Sequence, residues 1–487
     1  MKTAAVKSLS LDVFESEEHN LIHQYKNNGY NIVLDVNSGA VHVVDDIGYD
    51  VILVLNEWYQ GHGCEKGFDE SAKKEIFRQL GSRVDESELE EIYNEVLKLV
   101  ESGRLFTEDT YRDYIREVIE RKTVVKALCL HIAHDCNLAC KYCFAEEGEY
   151  HGRRALMTFE VGRKALDFLI ENSGSRRNLE VDFFGGEPLM NWDVVKELVY
   201  YGRKQETLHH KHFRFTVTTN GVLLNDDIQA FINEEMDNVV LSLDGRKEIN
   251  DDMRPFRNGR GSYELIVPKF QAMADSRDQE RYYIRGTFTR KNLDFSEDVK
   301  HFAKLGFKQM SIEPVVGDDD DPYAIQVEDL PQIFTEYDKL AKFVIKREKS
   351  GEGFNFFHFM IDLEGGPCVA KRLSGCGSGT EYLAVTPWGD FYPCHQFVGQ
   401  DEFLMGNVDT GVIRPDIAEE FRGCNVYTKE KCEKCFAKFY CSGGCMANAY
   451  NFHGSIYDAY DVGCEMQRKR VESAIMIQAA LADGERN

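Results

Sequence analysis

The chain has 487 residues, enough for two to four domains with cores of their own. Its 83 acidic residues outweigh 58 basic ones, a net charge of −25, which argues against a nucleic-acid binder because phosphate contacts need a basic face. No apolar run reaches the roughly eighteen residues of a membrane helix. The opening stretch, Met1 to Lys7, lacks the long apolar segment of a secretion signal. A cytoplasmic protein with no nucleic-acid or membrane partner is expected.

In chain order, residues 1–24 read as a polar, frayed tail. Tyr30–Val36 and Ala40–Val44 read as strands joined at Asn37-Ser38-Gly39, a hairpin. Three helical stretches follow, the last with Leu89, Ile92, Tyr93, Val96 and Val100 on one face. The middle of the chain alternates strands and helices. Its strands are Ala127–Ile132, Leu179–Phe184, Phe213–Thr218, Asn238–Leu243, Tyr282–Phe288 and Gln309–Glu313. Amphipathic stretches such as Thr158–Glu171 lie between them, so a parallel sheet with outer helices is predicted. The acidic run 317–322 reads as a solvated loop, and Leu330–Lys349 as a long helix.

The fourteen cysteines are unevenly placed. Cys64 and Cys129 stand alone, three fall between Cys136 and Cys143, and nine lie between Cys368 and Cys464. Such clustering reads as metal or redox chemistry rather than disulfides. Cys136, Cys140 and Cys143 have the spacing CX3CX2C, one thiolate short of closing a cubane cluster. A catalytic metal site keeps a position open in this way. The three follow the first middle strand, where barrel chemistry sits.

Other turns follow the later strands: Gly185-Gly186-Glu187-Pro188, Thr218-Thr219-Asn220-Gly221, Ser242-Leu243-Asp244-Gly245 and Ile312-Glu313-Pro314. Towards the carboxyl end the pattern is Cys376-X17-Cys394, then Cys432-X2-Cys435-X5-Cys441-X3-Cys445-X18-Cys464, with a GX4C step from Gly389 to Cys394. Structural zinc is the alternative that these spacings permit.

Through these motifs, in this order, the chain resembles the radical S-adenosylmethionine (SAM) enzymes. The resemblance implies a partial (β/α)6 barrel over 116–350, in an α/β fold. Cys136, Cys140 and Cys143 would hold a [4Fe-4S] cluster whose open iron chelates SAM. Tyr142 would lie near the adenine. Gly185, Gly186 and Pro188 would let backbone approach the methionine moiety, and Glu187 would accept from its ammonium. Thr219 and Asn220 would line the cofactor. Ser242 and Asp244 would face the ribose and carboxylate, and Glu313 the adenine edge.

The carboxyl-terminal field, 351–470, resembles the SPASM domain with two auxiliary [4Fe-4S] clusters, three clusters in all. That likeness implies Cys376, Cys394 and Cys445 on an inner cluster with an open iron, with Cys368 as a possible fourth ligand. Cys432, Cys435, Cys441 and Cys464 would close the outer one. Cys424 stays unassigned, and 471–487 reads as a terminal helix or tail.

Residues 25–115 resemble a winged-helix-like RiPP recognition element, a module that captures a leader peptide as an added strand. Tyr30–Asp46 and Lys438–Phe452 further resemble the maturases of "six cysteines in forty-five" peptides, of the sactipeptide and ranthipeptide class. Thioether formation in a Cys-rich precursor peptide is expected, in an anaerobic setting, with a low-potential reductant such as ferredoxin or flavodoxin. The alternatives are an anaerobic sulfatase maturase and a non-catalytic electron-transfer or peptide-binding protein. The maturase carries an Asp after the GX4C cysteine, where this chain has His395.

Overall fold

The computed structural model describes residues 21–62, 68–121, 123–150, 152–318, 320–363 and 369–485. Cys64 and Cys368 lie outside them, as do residues 1–20 of the expected tail.

At the amino end, β1 (Ile22–Asn27), β2 (Tyr30–Asp35) and β3 (Val41–Val44) form an antiparallel sheet. Asn28 and Gly29 join the first two strands with φ of 51° and 91°. Both values are positive, as a two-residue hairpin with the right twist requires. The expected hairpin is therefore a three-stranded sheet, and Ile22–Gln24 belong to a strand rather than to the tail. Helices Asp46–His62, Glu70–Leu80 and Glu86–Glu101 cover it. Asp69 and Asp85 cap the latter two by accepting backbone N–H groups. Val33, Leu55, Ile76 and Leu89 share a core of their own.

The second sheet contains β4 (Ala127–His134), β5 (Ala155–Leu156), β6 (Asn178–Gly185), β7 (His212–Thr219), β8 (Asn238–Ser242), β9 (Tyr282–Phe288), β10 (Gln309–Pro314) and β11 (Asn355–Phe356). It also takes in β12 (Tyr382–Val385), β13 (Asp390–Tyr392), β14 (Gly406–Asn407) and β15 (Gly411–Val412). The order is β11-β10-β9-β8-β7-β6-β4-β12-β13-β14-β15, with β5 paired to β4. The six predicted strands stand side by side and parallel, from β4 to β10. The sheet does not end there. β12 joins β4 in parallel, so a strand from beyond residue 350 extends the barrel sheet.

Alternation along the strands gives the sheet two unlike faces. Leu128, Leu130, Val181, Phe183, Phe215, Val217, Leu241 and Ile284 are buried on one. The other carries chemistry. Cys129, Asp182 and Thr216 align across it, as do His131 with Phe184 and Ser242 with Arg285 and Ser311.

The terminal helix runs from Asp461 to Glu485, so it crosses the boundary expected at 470 and carries Cys464. It packs along Leu330–Lys349, where Lys469 pairs with Asp338 at 2.7 Å and Arg470 donates to the Tyr337 hydroxyl at 2.7 Å. It also holds β1, through His23 and Tyr25 on Glu472, both at 2.9 Å.

Candidate active site

The loop after β4 carries Cys136, Cys140 and Cys143. Its backbone is pinned by Ala139 N–H on Pro255 O at 2.9 Å and Lys141 N–H on Met253 O at 3.0 Å. Burial pushes Cys136 up to about 11 and Cys140 up to about 12, and the thiols repel one another as thiolates. Two such groups ionise together only beside strong positive charge.

Gly185 and Gly186 are required by this loop itself. A Cβ on Gly186 would stand 2.1 Å from Asp135 O, and one on Gly185 2.4 Å from Ala133 O, with Gly185 at φ 121°. The glycines thus let β6 close against the cysteine loop, a reason in addition to the cofactor approach expected of them.

Glu187 is fully buried, next to the buried Pro188 that opens a short turn. Its Oε1 accepts from Leu189 N at 3.0 Å and Thr219 Oγ1 at 2.8 Å, and its Oε2 from Asn220 N at 2.8 Å. A carboxylate has about four acceptor positions, so Oε2 keeps capacity for one more donor. Burial holds its pKa above the usual carboxylate range, and a bound cation would bring it down. Asn220 donates to Asn137 Oδ1 at 2.8 Å and stands 3.7 Å from Cys136 Sγ, joining this turn to the cysteine loop.

Asp244 is held by protein partners behind the cysteine loop. Its Oδ2 accepts from the Tyr142 hydroxyl at 2.6 Å, its Oδ1 from Thr287 N at 3.0 Å, and Arg254 Nη1 stands 3.6 Å away. Arg254 also donates to the Tyr142 oxygen at 2.7 Å. Asp244 is enclosed by this network near Cys140. The side chain in register with Ser242 is Arg285, which is exposed and so offers a cation on that face.

Glu313, at the end of β10, is likewise paired within the protein. It lies 3.1 Å from His358 Nε2, and His358, Arg470 and Arg285 hold its carboxyl well below the usual range despite burial. It thus faces the terminal helix.

Sequence reasoning missed the wall beside the loop. His131 Nδ1 and His134 Nε2 share a hydrogen bond of 3.0 Å, while His131 Nε2 and His134 Nδ1 are buried without partners. Tyr150 stacks on His134, and Trp388 meets it edge-on. His395 lies over Phe184 with centroids 5.2 Å apart, and burial lowers its pKa to about 4. The only sequence signal was a pair of histidines on an otherwise apolar strand.

The carboxyl-terminal cysteines divide into two groups. Cys432, Cys435, Cys441 and Cys464 line one small cavity. Burial and mutual repulsion push Cys432, Cys441 and Cys464 each up to about 12. Cys394 is likewise pushed up to about 12, first by burial and then by Cys445 and Cys376. Ser442, Gly443 and Gly444, all at positive φ, connect Cys441 to Cys445 and so link the groups. Among the described residues no three His, Cys, Asp or Glu side chains converge as the ligands of one ion would. Cys129 is buried beside Asp182 and Tyr382. Cys424 is buried with its Sγ donating to Ile456 O at 3.1 Å.

Two cavities meet the barrel. One, of about 330 Å³, is lined by Arg285, Glu313, Gln396, Cys441, Cys445 and Cys464 among others. The second, of about 910 Å³, reaches from Asn37, Ser38 and Gly39 past Tyr440 and Arg470 to Tyr283 and Glu313. No helix among the described residues is long and apolar enough to cross a membrane.

Residues 130–278 match the family model described as the radical SAM superfamily. An uncharacterized protein of Methanocaldococcus jannaschii is 30% identical over 190 residues, 39% of this chain and 62% of that protein, so less than two thirds of that relative is spanned. A cysteine-type anaerobic sulfatase-maturating enzyme of Clostridium novyi is 26% identical over 363 residues, 70% of this chain and 92% of its own. Crystal structures of Streptococcus suis SuiB, bound to S-adenosylmethionine or to the precursor peptide SuiA, align with a TM-score of 0.51 at 16% identity. They cover 91% of this chain and 98% of SuiB, a likeness of fold. The stretch that matches the family model runs from within β4 past β8 and holds Cys136, Cys140 and Cys143.

Proposed function

We propose that the chain is a radical SAM maturase that forms Cys thioether cross-links, sulfur to carbon, in a Cys-rich precursor peptide carrying an N-terminal leader. The observation that carries this reading is the 330 Å³ cavity, whose walls join Arg285 and Glu313 of the barrel to Cys445 and Cys441 of the cysteine field. A peptide there reaches both.

The residues fit the groups this reading requires. The half-buried thiols of Cys136, Cys140 and Cys143, carried on one loop, suit a [4Fe-4S] cluster with one open iron. When bound there, SAM supplies a 5′-deoxyadenosyl radical. Glu187 accepts the SAM ammonium on Oε2, with Thr219 and Asn220 fixing its rotamer. Arg285, beside Ser242, meets the carboxylate. Tyr142 is oriented by Asp244 and Arg254. The wall of His134, Tyr150 and Trp388 keeps water from the reacting atoms.

Cys432, Cys435, Cys441 and Cys464 surround one gap and suit a closed auxiliary cluster. Cys376, Cys394 and Cys445 suit an inner cluster with an open iron, which makes three clusters. Leader capture falls to β3. The opposite edge, β1, is covered by the terminal helix through His23 and Tyr25, whereas among the described residues β3 pairs only with β2. Strand addition there uses main-chain hydrogen bonds. A reductant such as ferredoxin or flavodoxin supplies the electron.

A second reading, formylglycine formation, is favoured by the likeness to the C. novyi enzyme over 70% of this chain. It needs a base after Cys394, and His395, kept neutral by burial, is the group there. Anaerobic incubation of the reconstituted protein with SAM, reductant and a synthetic Cys-rich precursor, followed by mass spectrometry, separates the two. Thioether closure removes two hydrogens and keeps sulfur; formylglycine loses sulfur. Absence of SAM cleavage would leave only the non-catalytic alternative.

A further inference from the structure

Lys429 is a buried cation without an ion pair among the described residues. Its side chain is 2% exposed. The ammonium donates to Gly443 O and Asp458 O, each at 3.0 Å. Two carbonyl dipoles solvate an ammonium only in part, and a buried charge without a counter-charge is costly. Its position indicates where that counter-charge comes from. Gly443 lies in the link between Cys441 and Cys445, which joins the outer cysteine group to the inner one. The Lys429 carbonyl accepts from Cys432 N at 2.9 Å. Its aliphatic carbons lie close to the Cβ direction of Gly443, at 3.9 Å. Gly443 lines both the small cavity of Cys432, Cys435, Cys441 and Cys464 and the larger one that Cys445 lines, so its carbonyl places the ammonium between the two groups.

We propose that Lys429 is a positioning residue shared by both auxiliary clusters, a fixed counter-charge that raises the reduction potential of each. This rests on the reading that the two cysteine groups hold [4Fe-4S] clusters. A thiolate-ligated cluster is anionic and becomes more so on reduction, so a buried cation stabilises the reduced form more than the oxidised one. Both clusters then accept an electron released in the barrel more readily than they would without it. The two carbonyl bonds hold the ammonium in place and fix the Cys441–Cys445 link around it.

The test is a redox titration followed by electron paramagnetic resonance, with iron analysis, on full-length reconstituted enzyme. The variants are Lys429→Met, Lys429→Gln and Lys429→Arg. With iron retained, the two neutral variants should move both auxiliary couples to more negative potential, leaving the couple of the SAM-binding cluster in place. Lys429→Arg should stay near wild type. Unmoved auxiliary couples in the neutral variants, or an equal shift in Lys429→Arg, would overturn the proposal. Iron lost from the auxiliary sites of the neutral variants but kept in Lys429→Arg supports the charge role; loss from all three overturns it. A wild-type protein that reconstitutes only one cluster instead sinks the auxiliary-cluster reading itself.

Discussion

The Tyr142 hydroxyl donates to Asp244 at 2.6 Å while accepting from Arg254 at 2.7 Å, so the residue before the third cysteine of the loop is locked to the turn after β8, the fourth parallel strand. Tyr142 is held at its tip by a buried acid and by a guanidinium that is 12% exposed. Asp244 is fully buried, and Arg254 lies 3.6 Å from it. The network fixes the loop from behind.

Removing the base from this network should therefore cost more than removing the hydroxyl. Arg254→Met leaves Asp244 buried beside Cys140 without its cation, and breaking such a pair costs about 3–5 kcal/mol. Tyr142→Phe removes hydrogen bonds to charged groups, about 1.5–3 kcal/mol. Thermal unfolding of the two variants under anaerobic conditions should rank them in that order. The reverse order would show that the hydroxyl, not the ion pair, anchors the loop.

Replacing Cys136, Cys140 and Cys143 together by Ala should abolish 5′-deoxyadenosine formation and leave most of the iron bound at the carboxyl-terminal cysteines. High-performance liquid chromatography and iron analysis report both. Undiminished SAM cleavage would mean that a different cysteine group carries the chemistry.

Asp182 sets a pH dependence of stability. Burial raises its carboxyl from 3.8 to about 6, with Glu180 adding to the effect. The folded protein then binds this proton more tightly than the unfolded chain does. Its ionised form destabilises the fold above about pH 6, and the penalty fades as pH falls towards about 4. Asp182→Asn should be more stable than wild type at pH 8 by about 1–3 kcal/mol, the difference closing at acid pH. Denaturant titrations at several pH values give the curve; a constant difference across the range would contradict it.

The six barrel strands were legible because each carries an unbroken apolar face, as Leu128–Leu130 and Val181–Phe183 show, followed by a turn with its own residue signature. β12 was not, since four residues give too short a period and its pairing with β4 spans more than two hundred positions. β1 was hidden by Gln24, Lys26 and Asn27, although Asn28-Gly29 is a strong hairpin signal. The grouping of the carboxyl-terminal cysteines came from the likeness of their spacing to the SPASM pattern, and Cys432, Cys435, Cys441 and Cys464 line one cavity. Arg254, Arg285, His131, His134 and Lys429 were not legible, because a lone polar residue in a strand or loop carries no periodicity and its partner is chosen by the fold. The same holds for the partners of Asp244 and Glu313: their turns were recognisable, their neighbours were not.

Strand addition at β3 can be tested by proline scanning. In an edge strand alternate N–H groups point outward, and proline removes one of them. Of His42→Pro and Val43→Pro, one should weaken binding of a leader peptide at little cost to folding, and the other should disturb pairing with β2. Fluorescence anisotropy of a labelled leader and circular dichroism distinguish them. If neither variant changes leader affinity, the outer edge is not the capture site.

The last prediction concerns Glu187, where three donors already converge on one carboxylate. Glu187→Gln keeps the shape but presents an amide N–H₂ to at least one of Leu189 N, Thr219 Oγ1 and Asn220 N, since those three donors occupy both oxygens. It also removes the charge that would meet the SAM ammonium. A lost charged hydrogen bond in a buried site costs about 1.5–3 kcal/mol, so the KM for SAM should rise by about 10- to 100-fold. Thr219→Val removes one neutral donor and leaves the carboxylate charged, with an expected cost of about 1 kcal/mol and a rise of only about 5-fold. The ratio between the variants is the informative quantity. Equal effects would mean that Glu187 serves only to hold the Thr219-Asn220 turn, with the ammonium bound elsewhere. A larger effect in Glu187→Gln, confined to KM at unchanged kcat, identifies its free Oε2 position as the one that receives the cofactor.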